Sequence, residues 1–483
     1  MKLTQPYSIA IIGGGIAGLS AAYYAAQKAI AQKLPVQVHL FEAASYWGGK
    51  IVTDRIDWNS GQFIIEGGPD TFLASKPWGV ALCKELNLTE RLQGTNPHQR
   101  NTYVLHHGRL LLLPDGLALM IPSDISSVLR SRLLNMWQKA RMGLDFITPP
   151  RQGNEDESLG SFISRRLGRA AYENLIEPLM SGIYAGDGDQ LSLASTFPYL
   201  HDLETKYGSL ARGALAMRKT MGGKGWRSAF FTPTLGLNEI IDALVDKLVQ
   251  QGVKLHLNNS VNYIQEEGSG SSNKLRVITE RDSELVVDAV ILAASAPHSG
   301  HMLQRMQPAL AALLQSIAYT STATISLAYR SEDLTRALDG YGYVIPRREG
   351  RRALACTWTS TKFPHRAPAG YALLRVFVGR AGQDAGMPRT EEELLALAKE
   401  ELLLSLGITA SPLLFSVFFW ENAMPQYNLG HPEKLLRIEA ALKDLPNIAL
   451  AGNGYRGIGI PDCIHSGEQA AERVLKNAID QAY

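Results

Sequence analysis

The chain has 483 residues, of which 45% are hydrophobic and 19% are charged, so its composition is that of a water-soluble protein with more than one hydrophobic core. Its 48 basic and 46 acidic residues leave a formal net charge of +2, which argues against nucleic acid as a partner. The three cysteines are widely separated, which argues against a disulfide framework and a metal site. No apolar run approaches the ~20 residues of a spanning helix, which argues against a transmembrane segment. We therefore expect a cytoplasmic protein of about three domains.

The chain begins with the pattern of a dinucleotide-binding strand, turn and helix. An apolar run at 8–12 predicts a buried parallel strand, and apolar residues at helical spacing over 16–26 predict the helix packed on it. Three glycines between and within these elements allow a tight turn, a close approach of backbone to a pyrophosphate, and close packing of helix on strand: Gly13, Gly15 and Gly18. The helix N-terminus adds partial positive charge for the phosphates.

The next apolar strand, at 36–41, is followed directly by Glu42. A carboxylate at this point can accept hydrogen bonds from ribose hydroxyls and would repel an added 2′-phosphate, so it argues against an NADP-type ligand. The triplet Gly48-Gly49-Lys50 then permits a second close backbone approach, and the lysine can pair with phosphate. Together these features favour FAD over NAD, although a surface turn with a solvated lysine also explains the triplet.

The predicted fold is α/β, with a Rossmann-type FAD-binding domain assembled from discontinuous segments. Strand and helix patterns of that domain recur at 1–80, 225–300 and 415–483. The stretch 81–224 is mainly helical in pattern and predicts a helical insertion. Within 301–414, apolar and polar residues alternate, which indicates antiparallel strands and predicts an α+β substrate domain. We expect the active site where these insertions face the cofactor.

The helical insertion contains a segment in which basic and apolar residues alternate closely. Its members are Arg130, Arg132, Leu133, Leu134, Met136, Trp137, Lys139 and Arg141. Such a segment is compatible with peripheral contact to the anionic inner face of a membrane. A domain helix with a solvated basic face is the more common origin of this pattern and stays the favoured interpretation.

Two further glycine clusters complete the cofactor pattern. Near the end of the chain, Gly457, Gly459 and Pro461 precede a helix, and this second N-terminus would face the pyrimidine end of a flavin, where negative charge collects on reduction. Much earlier, Gly67 and Gly68 would let backbone lie against a flat ring. Each cluster alone is also compatible with an ordinary turn.

These segments resemble those of the bacterial soluble-type protoporphyrinogen/coproporphyrinogen III oxidases, FAD enzymes of the amine-oxidase-like flavoprotein superfamily. The matching blocks are IIGGGIAGLS at 11–20, EGGPDTFL at 66–73, EPLMSGIYAGD at 177–187, LSLASTFP at 191–198, AMPQY at 423–427 and GIGIPDCI at 457–464. The first block is shared by many flavoproteins. The blocks at 177–187 and 420–427 are much more specific, and the resemblance covers nearly the whole chain.

The resemblance implies oxidation of a porphyrinogen to the porphyrin in heme biosynthesis, by hydride transfer to flavin, with molecular oxygen as acceptor and hydrogen peroxide as product. It leaves open whether the substrate is coproporphyrinogen III or protoporphyrinogen IX, although the soluble bacterial pattern favours the former. Handover to other enzymes of the pathway is compatible with it. This chemistry demands no strong protein base, and the sequence offers no catalytic triad or metal-ligand set, so no catalytic side chain is assigned.

The resemblance also implies the site residues. Lys76 and Ile183 match substrate-pocket positions; a cation at Lys76 suits propionate groups, while a solvated loop lysine and an ordinary core isoleucine are the alternatives. The implied FAD contacts are Gly13, Gly14, Gly15, Ile16, Ala17, Gly18, Glu42, Ala43, Lys50, Gly68, Pro69, Asp70, Thr71, Val261, Trp420, Ile458, Gly459 and Ile460.

Two other functions compete. An amine oxidase or carotenoid desaturase of the same superfamily would share the cofactor motifs, but an amine oxidase would place aromatic residues on both sides of the flavin, and Phe418, Phe419 and Trp420 form only one such cluster. A non-catalytic carrier that shields a lipid would have lost the flavin motifs, and all of them are intact.

Overall fold

A computed structural model describes residues 6–58, 61–114, 117, 121, 124–153, 155–221, 228–267, 274–281, 283–383 and 386–482. The strands are β1 (Tyr7–Ile12), β2 (Val36–Phe41), β3 (Thr53–Trp58), β4 (Gly61–Glu66), β5 (Phe72–Leu73), β6 (Leu92–Gly94), β7 (Asn101–His106), β8 (Arg109–Leu112), β9 (Phe230–Pro233), β10 (Lys254–His256), β11 (Val261–Glu266), β12 (Leu275–Thr279), β13 (Glu284–Val287), β14 (Ala289–Leu292), β15 (Tyr319–Arg330), β16 (Gly340–Val344), β17 (Ala353–Trp358), β18 (Tyr371–Val378), β19 (Leu414–Pro425) and β20 (Ile448–Leu450). The helices are α1 (Ile16–Ala31), α2 (Pro77–Glu85), α3 (Ile125–Arg130), α4 (Met136–Gly143), α5 (Leu159–Leu167), α6 (Arg169–Ala171), α7 (Glu177–Tyr184), α8 (Leu193–Thr196), α9 (Pro198–Tyr207), α10 (Leu210–Met221), α11 (Asn238–Gln250), α12 (Ala296–Leu303), α13 (Pro308–Gln315), α14 (Thr359–Lys362), α15 (Glu391–Leu406), α16 (His431–Lys443) and α17 (Ile460–Ala482).

A parallel sheet with strand order β10-β2-β1-β14-β20 carries the N-terminal motif. Its central strand β1 is buried on both faces, which explains its unbroken apolar run. Ile9 and Ile11 pack in the core shared with α1, α11 and α17, whereas Ala10 and Ile12 pack in the core shared with α12, α13 and α16. The five strands come from three distant stretches of the chain, and all their carboxyl ends meet at one edge of the sheet.

A second large sheet has the order β19-β15-β18-β17-β16-β7-β8 and is antiparallel except between β7 and β16. One face packs against α15 through alternate residues of β18 such as Leu374, Val376 and Val378. Because side chains alternate along a strand, Arg375 and Phe377 lie on the opposite face. That opposite face contacts the loop that follows β4, as described below.

This sheet also takes strands from outside the stretch 301–414. The hairpin β7–β8 comes from the stretch 81–224, predicted to be mainly helical, and β19 begins at Leu414 and continues into the stretch 415–483. The hairpin forms because His107 and Gly108 adopt the left-handed conformation, with φ of 50° and 74°, which suits a two-residue turn. Its parallel pairing with β16 depends on residues more than 200 positions away and has no local sequence signal.

The helices α4–α10 form a separate core around Phe162, Tyr172 and Leu200. Beside this core, Arg166 is fully buried; its Nε donates to Asp145 Oδ1 at 2.6 Å, and its Nη1 lies 3.3 Å from Glu204 Oε1. A buried guanidinium is tolerated here because two carboxylates and several carbonyls satisfy its donors. Within the described ranges, no helix is both long and apolar enough to span a membrane.

Candidate functional site

The glycine turn between β1 and α1 has the geometry expected for a phosphate site. Gly13 has φ +114°, and a Cβ on Gly18 would lie 1.9 Å from the Gly13 carbonyl oxygen, so both positions require glycine. A Cβ on Gly15 would meet open space instead. Gly15 is the N-cap of α1 and, because glycine has no side chain, it cannot cap the helix with a side-chain hydrogen bond. The first-turn N–H groups, which include those of Ile16 and Ala17, are therefore free of a side-chain cap and suit an anionic ligand.

Glu42 joins this turn to the end of β2. Its Oε2 accepts a hydrogen bond from the Gly14 N–H at 2.6 Å, and its Oε1 accepts one from the Ala44 N–H at 2.8 Å. The segment between β10 and β11 reaches the same place, because the Asn259 N–H donates to the Glu42 carbonyl at 2.9 Å and Val261 begins β11 two residues later. Ala43, between the two bonded residues, is exposed.

The second glycine turn lies directly against the first. The Gly48 N–H donates to the Gly14 carbonyl at 2.9 Å, and Gly48 forms a bridge with Gly15. Lys50 follows, and its Nζ donates to the Ala423 carbonyl. Burial lowers the pKa of the Lys50 ammonium to about 8, so a phosphate placed near it would favour the charged form.

The loop after β4 is fixed from the seven-stranded sheet. The Gly67 carbonyl accepts hydrogen bonds from Trp420 Nε1 at 2.9 Å and Thr324 Oγ1 at 2.7 Å, and the Gly68 carbonyl accepts one from Arg375 Nη2. A Cβ on Gly67 would lie 2.7 Å from the Phe418 ring, which explains the glycine. The Trp420 and Phe418 rings are stacked 6.2 Å apart and form one aromatic wall.

The rest of this loop carries charge. Asp70 Oδ1 accepts a hydrogen bond from Thr71 Oγ1 at 3.0 Å, and its Oδ2 accepts one from Lys362 Nζ at 3.0 Å. Burial alone would raise the pKa of the Asp70 carboxyl, but the cations around it, with Lys362 contributing most, hold that pKa well below its usual range. The Asp70 side chain is thus ionised and paired with Lys362 of α14, and the carbonyls of Gly68 and Asp70 accept hydrogen bonds from Arg375 and Arg366.

The last helix, α17, starts at Ile460 next to Lys76. Lys76 Nζ lies 2.6 Å from both carboxylate oxygens of Asp462, in the first turn of α17, and Asp462 Oδ2 also accepts the Gly459 N–H at 3.2 Å. Ile458 packs against the core of the helical insertion. Lys76, which sequence analysis assigned to the substrate, is therefore already paired with the carboxylate of Asp462, although 38% of the lysine side chain stays exposed.

Ile183 stands apart from the residues around the glycine turns. It lies in α7 with 44% of its surface exposed, and the helix ends at Ala185 in the left-handed conformation, with φ 50°. The Ala185 carbonyl accepts a hydrogen bond from the Ala381 N–H at 2.7 Å. This bond ties the end of α7 to the segment after β18, beside a small apolar cluster in which Ala185, Leu354 and Ala355 are buried and Val344, Phe377 and Met424 are partly buried.

Several residues that fix the site were not singled out from the sequence. Thr324 gives no local signal, since its contact depends on the register of β15 and β19. Arg375 does give a local sequence signal, because it is a lone cation in the apolar strand β18 and a buried cation requires polar partners.

The glycine turns, Glu42 and the two helix N-termini fit a flavin dinucleotide, and comparison with known proteins supports this fit. The family model for flavin-containing amine oxidoreductases matches residues 16–475, and the chain belongs to that family. The predicted α/β fold class and flavin cofactor are thereby confirmed.

The relatives narrow the comparison further. The chain is similar to coproporphyrinogen III oxidase of Bacillus subtilis (strain 168), with 35% identity over 474 residues that cover 97% of each chain. It is 33% identical to coproporphyrinogen III oxidase of Staphylococcus aureus (strain NCTC 8325 / PS 47), covering 97% of this chain and 99% of the other. These relatives confirm the resemblance drawn from the motifs.

Solved structures show the same fold. A crystal structure from Exiguobacterium sp. 255-15, provisionally assigned as a protoporphyrinogen oxidase, matches with a TM-score of 0.84 at 31% identity and covers 100% of both chains. A UDP-galactopyranose mutase with a TM-score of 0.70 and a putrescine oxidase variant with a TM-score of 0.68, each 16% identical, share the fold alone.

We predict that Glu42→Gln weakens FAD binding by ~1 to 3 kcal/mol, because the amide keeps only one acceptor oxygen and loses the charge that strengthens its hydrogen bonds. Titration of apoprotein with FAD, followed by fluorescence, measures the dissociation constant. Glu472→Gln is the matched control, since Glu472 pairs with Lys28 on the outer side of α1 and α17. An unchanged dissociation constant for Glu42→Gln would remove Glu42 from the site.

Proposed function

We propose that the chain oxidises a porphyrinogen to the porphyrin in heme biosynthesis, with FAD as cofactor and coproporphyrinogen III as the favoured substrate. The observation that carries this proposal is full-length similarity to coproporphyrinogen III oxidases in a chain whose glycine turns, Glu42 and loop 66–71 retain a geometry that suits FAD. When bound, FAD supplies the hydride acceptor, and molecular oxygen regenerates it with formation of hydrogen peroxide. The porphyrin would then pass to later enzymes of the pathway.

The protein's contribution is binding, orientation and exclusion of water. The aromatic wall of Phe418 and Trp420 and the hydrogen-bonded Gly67–Gly68 backbone would hold the ring system. The partly buried side chains of Phe377 and Met424, with the exposed Ile183 beyond them, would supply apolar contact area for a macrocycle. No side chain is assigned as a proton acceptor, because oxidation by hydride loss releases ring N–H protons without needing a strong base.

The direct test is aerobic turnover by the purified holoenzyme. We expect a yellow protein that converts coproporphyrinogen III to fluorescent porphyrin faster than the spontaneous reaction, with formation of hydrogen peroxide. Protoporphyrinogen IX, which has vinyl groups in place of two of the four propionates, serves as the matched second substrate and should turn over with a lower kcat/KM. Porphyrin formation no faster than in buffer would refute the proposed function.

Lys76 is proposed to bind a substrate propionate while it also contacts Asp462. A lysine ammonium has three donors, so it can serve both carboxylates. We predict that Lys76→Ala raises KM for coproporphyrinogen III about three- to tenfold with little change in kcat, since a binding contact in both ground and transition state is lost. Lys84→Ala, at the other end of α2, is the control. Unchanged KM and kcat would refute the assignment of Lys76.

We further propose peripheral contact of the helical insertion with an anionic membrane. Around α3 and α4, Trp137 is 86% exposed and Met136 71% exposed, and Arg130, Arg132 and Lys139 lie close to them in sequence. Exposed apolar residues mixed with basic ones are typical of surfaces that rest in the lipid headgroup region.

Sedimentation with vesicles of phosphatidylglycerol and phosphatidylcholine measures this contact. We predict that the protein binds these vesicles at low salt, that binding falls at high salt because the charges are screened, and that a Met136→Ser/Trp137→Ser variant loses most of it. Leu436→Ser, which alters an exposed apolar residue of α16, should bind like the natural chain. Equal binding by all three proteins, or none, would contradict the proposal.

A further inference from the structure

Beneath the loop 66–71 lies a cluster of five charged side chains, here called the loop cluster. Arg366, Arg375 and Glu66 are at most 2% exposed, and the side chains of Lys362 and Asp70 are 16% and 17% exposed. The cluster therefore sits in a low-dielectric region between the loop and the seven-stranded sheet, where charges interact strongly.

Both carboxylates of the loop cluster already have a cation. Arg366 Nη2 donates to Glu66 Oε1 at 2.9 Å, and also to Thr232 Oγ1 at 2.7 Å and the Asp70 carbonyl at 3.1 Å. Lys362 Nζ lies 3.0 Å from Asp70 Oδ2. Two ion pairs thus account for both negative charges.

Arg375 is left without a carboxylate of its own. Its Nη2 donates to the Gly68 carbonyl, while its Nε and Nη1 have no hydrogen-bond partner among the described residues, and none of the described carboxylates lies within 4 Å of it. The guanidinium carbon lies 4.7 Å from the centre of the Phe377 ring. The cluster holds three cations and two carboxylates, and so has an excess of one positive charge.

The charge state of these groups supports this count. Burial lowers the pKa of Arg375 to about 10, with Asp70 and Glu66 acting in the opposite direction, so the guanidinium stays protonated at neutral pH. Burial raises the pKa of Glu66, and Arg366 opposes that shift. Protonation of Glu66 would only increase the excess positive charge.

An excess buried charge is costly unless something of opposite sign approaches it. Arg375 itself is almost wholly buried, so it cannot touch a ligand directly and acts through the Gly68 backbone. A flavin becomes more negative when it takes up hydride, and a positive charge fixed in advance stabilises that state without reorganisation.

We propose that Arg375 is a positioning residue that raises the reduction potential of the bound flavin, by holding an unpaired positive charge behind the Gly67–Gly68 backbone. The inference rests on the placement of FAD given under the proposed function. The same hydrogen bond orients the loop, because a donor fixed on the Gly68 carbonyl fixes the peptide plane that follows it.

The test is the midpoint potential of the holoenzyme, measured by equilibration with a reference dye in the absence of substrate. Arg375→Gln should change the ratio of reduced to oxidised flavin about tenfold toward the oxidised form, which is about 30 mV for a two-electron couple. Arg375→Lys, which keeps the charge, should recover most of the lost potential. Arg276→Gln, which removes a cation from the far edge of the cofactor domain, where Glu267 and Glu284 pair with it, should leave the potential unchanged.

Lys362→Gln provides a second variant in case Arg375→Gln does not retain FAD. Lys362 lies at the edge of the loop cluster, and its removal should lower the potential in the same direction. Equal potentials for the natural chain, Arg375→Gln and Lys362→Gln would overturn the proposal. A raised KM for porphyrinogen with no change in potential would also overturn it, because the charge would then act on the substrate. Because the potential is measured without porphyrinogen, failure of the proposed function would appear as absent turnover, independently of this result.

Discussion

Two consecutive carbonyl groups, those of Gly67 and Gly68, fix the loop that follows β4 against the seven-stranded sheet. Three side chains of that sheet, Thr324, Arg375 and Trp420, donate to them. A buried carbonyl without a donor costs ~1 to 3 kcal/mol, so the loop cannot move away from the sheet without losing several such bonds at once. The position of every proposed flavin contact in this loop follows from that constraint.

The glycine and acidic motifs were predictable because their chemistry is local. Gly13 and Gly18 are required by contacts within one strand, turn and helix, and Glu42 acts at the end of the adjacent strand, so a short sequence window contains the whole argument. The apolar run of β1 was predictable for the same reason. Because β1 is buried on both faces, its apolar residues do not alternate with polar ones.

The remaining features depend on contacts between distant parts of the chain. Lys76 was predicted to bind substrate and stays a prediction; its partner in the structure, Asp462, lies 386 residues further on, and no pattern around Lys76 indicates it. The strand β7 joins the second sheet through a parallel pairing with β16, which helical patterning in the surrounding stretch concealed. Arg375 was visible as an isolated cation in an apolar strand, yet only the tertiary structure shows that Gly68 is its acceptor and that both nearby carboxylates are already paired.

The assembly of the parallel sheet from three separated stretches also bears on how the protein is made. β1 and β2 leave the ribosome early, but β14 follows more than 200 residues later and β20 only near residue 450. Until β14 is synthesised, one edge of β1 has no neighbour, and unpaired edges of apolar strands are prone to associate with other chains. Folding of the nucleotide-binding unit is therefore completed only after β20 has been synthesised, and its contacts, being far apart in sequence, should form slowly. A nascent chain of this kind is a natural client for chaperones that shield exposed strand edges during translation.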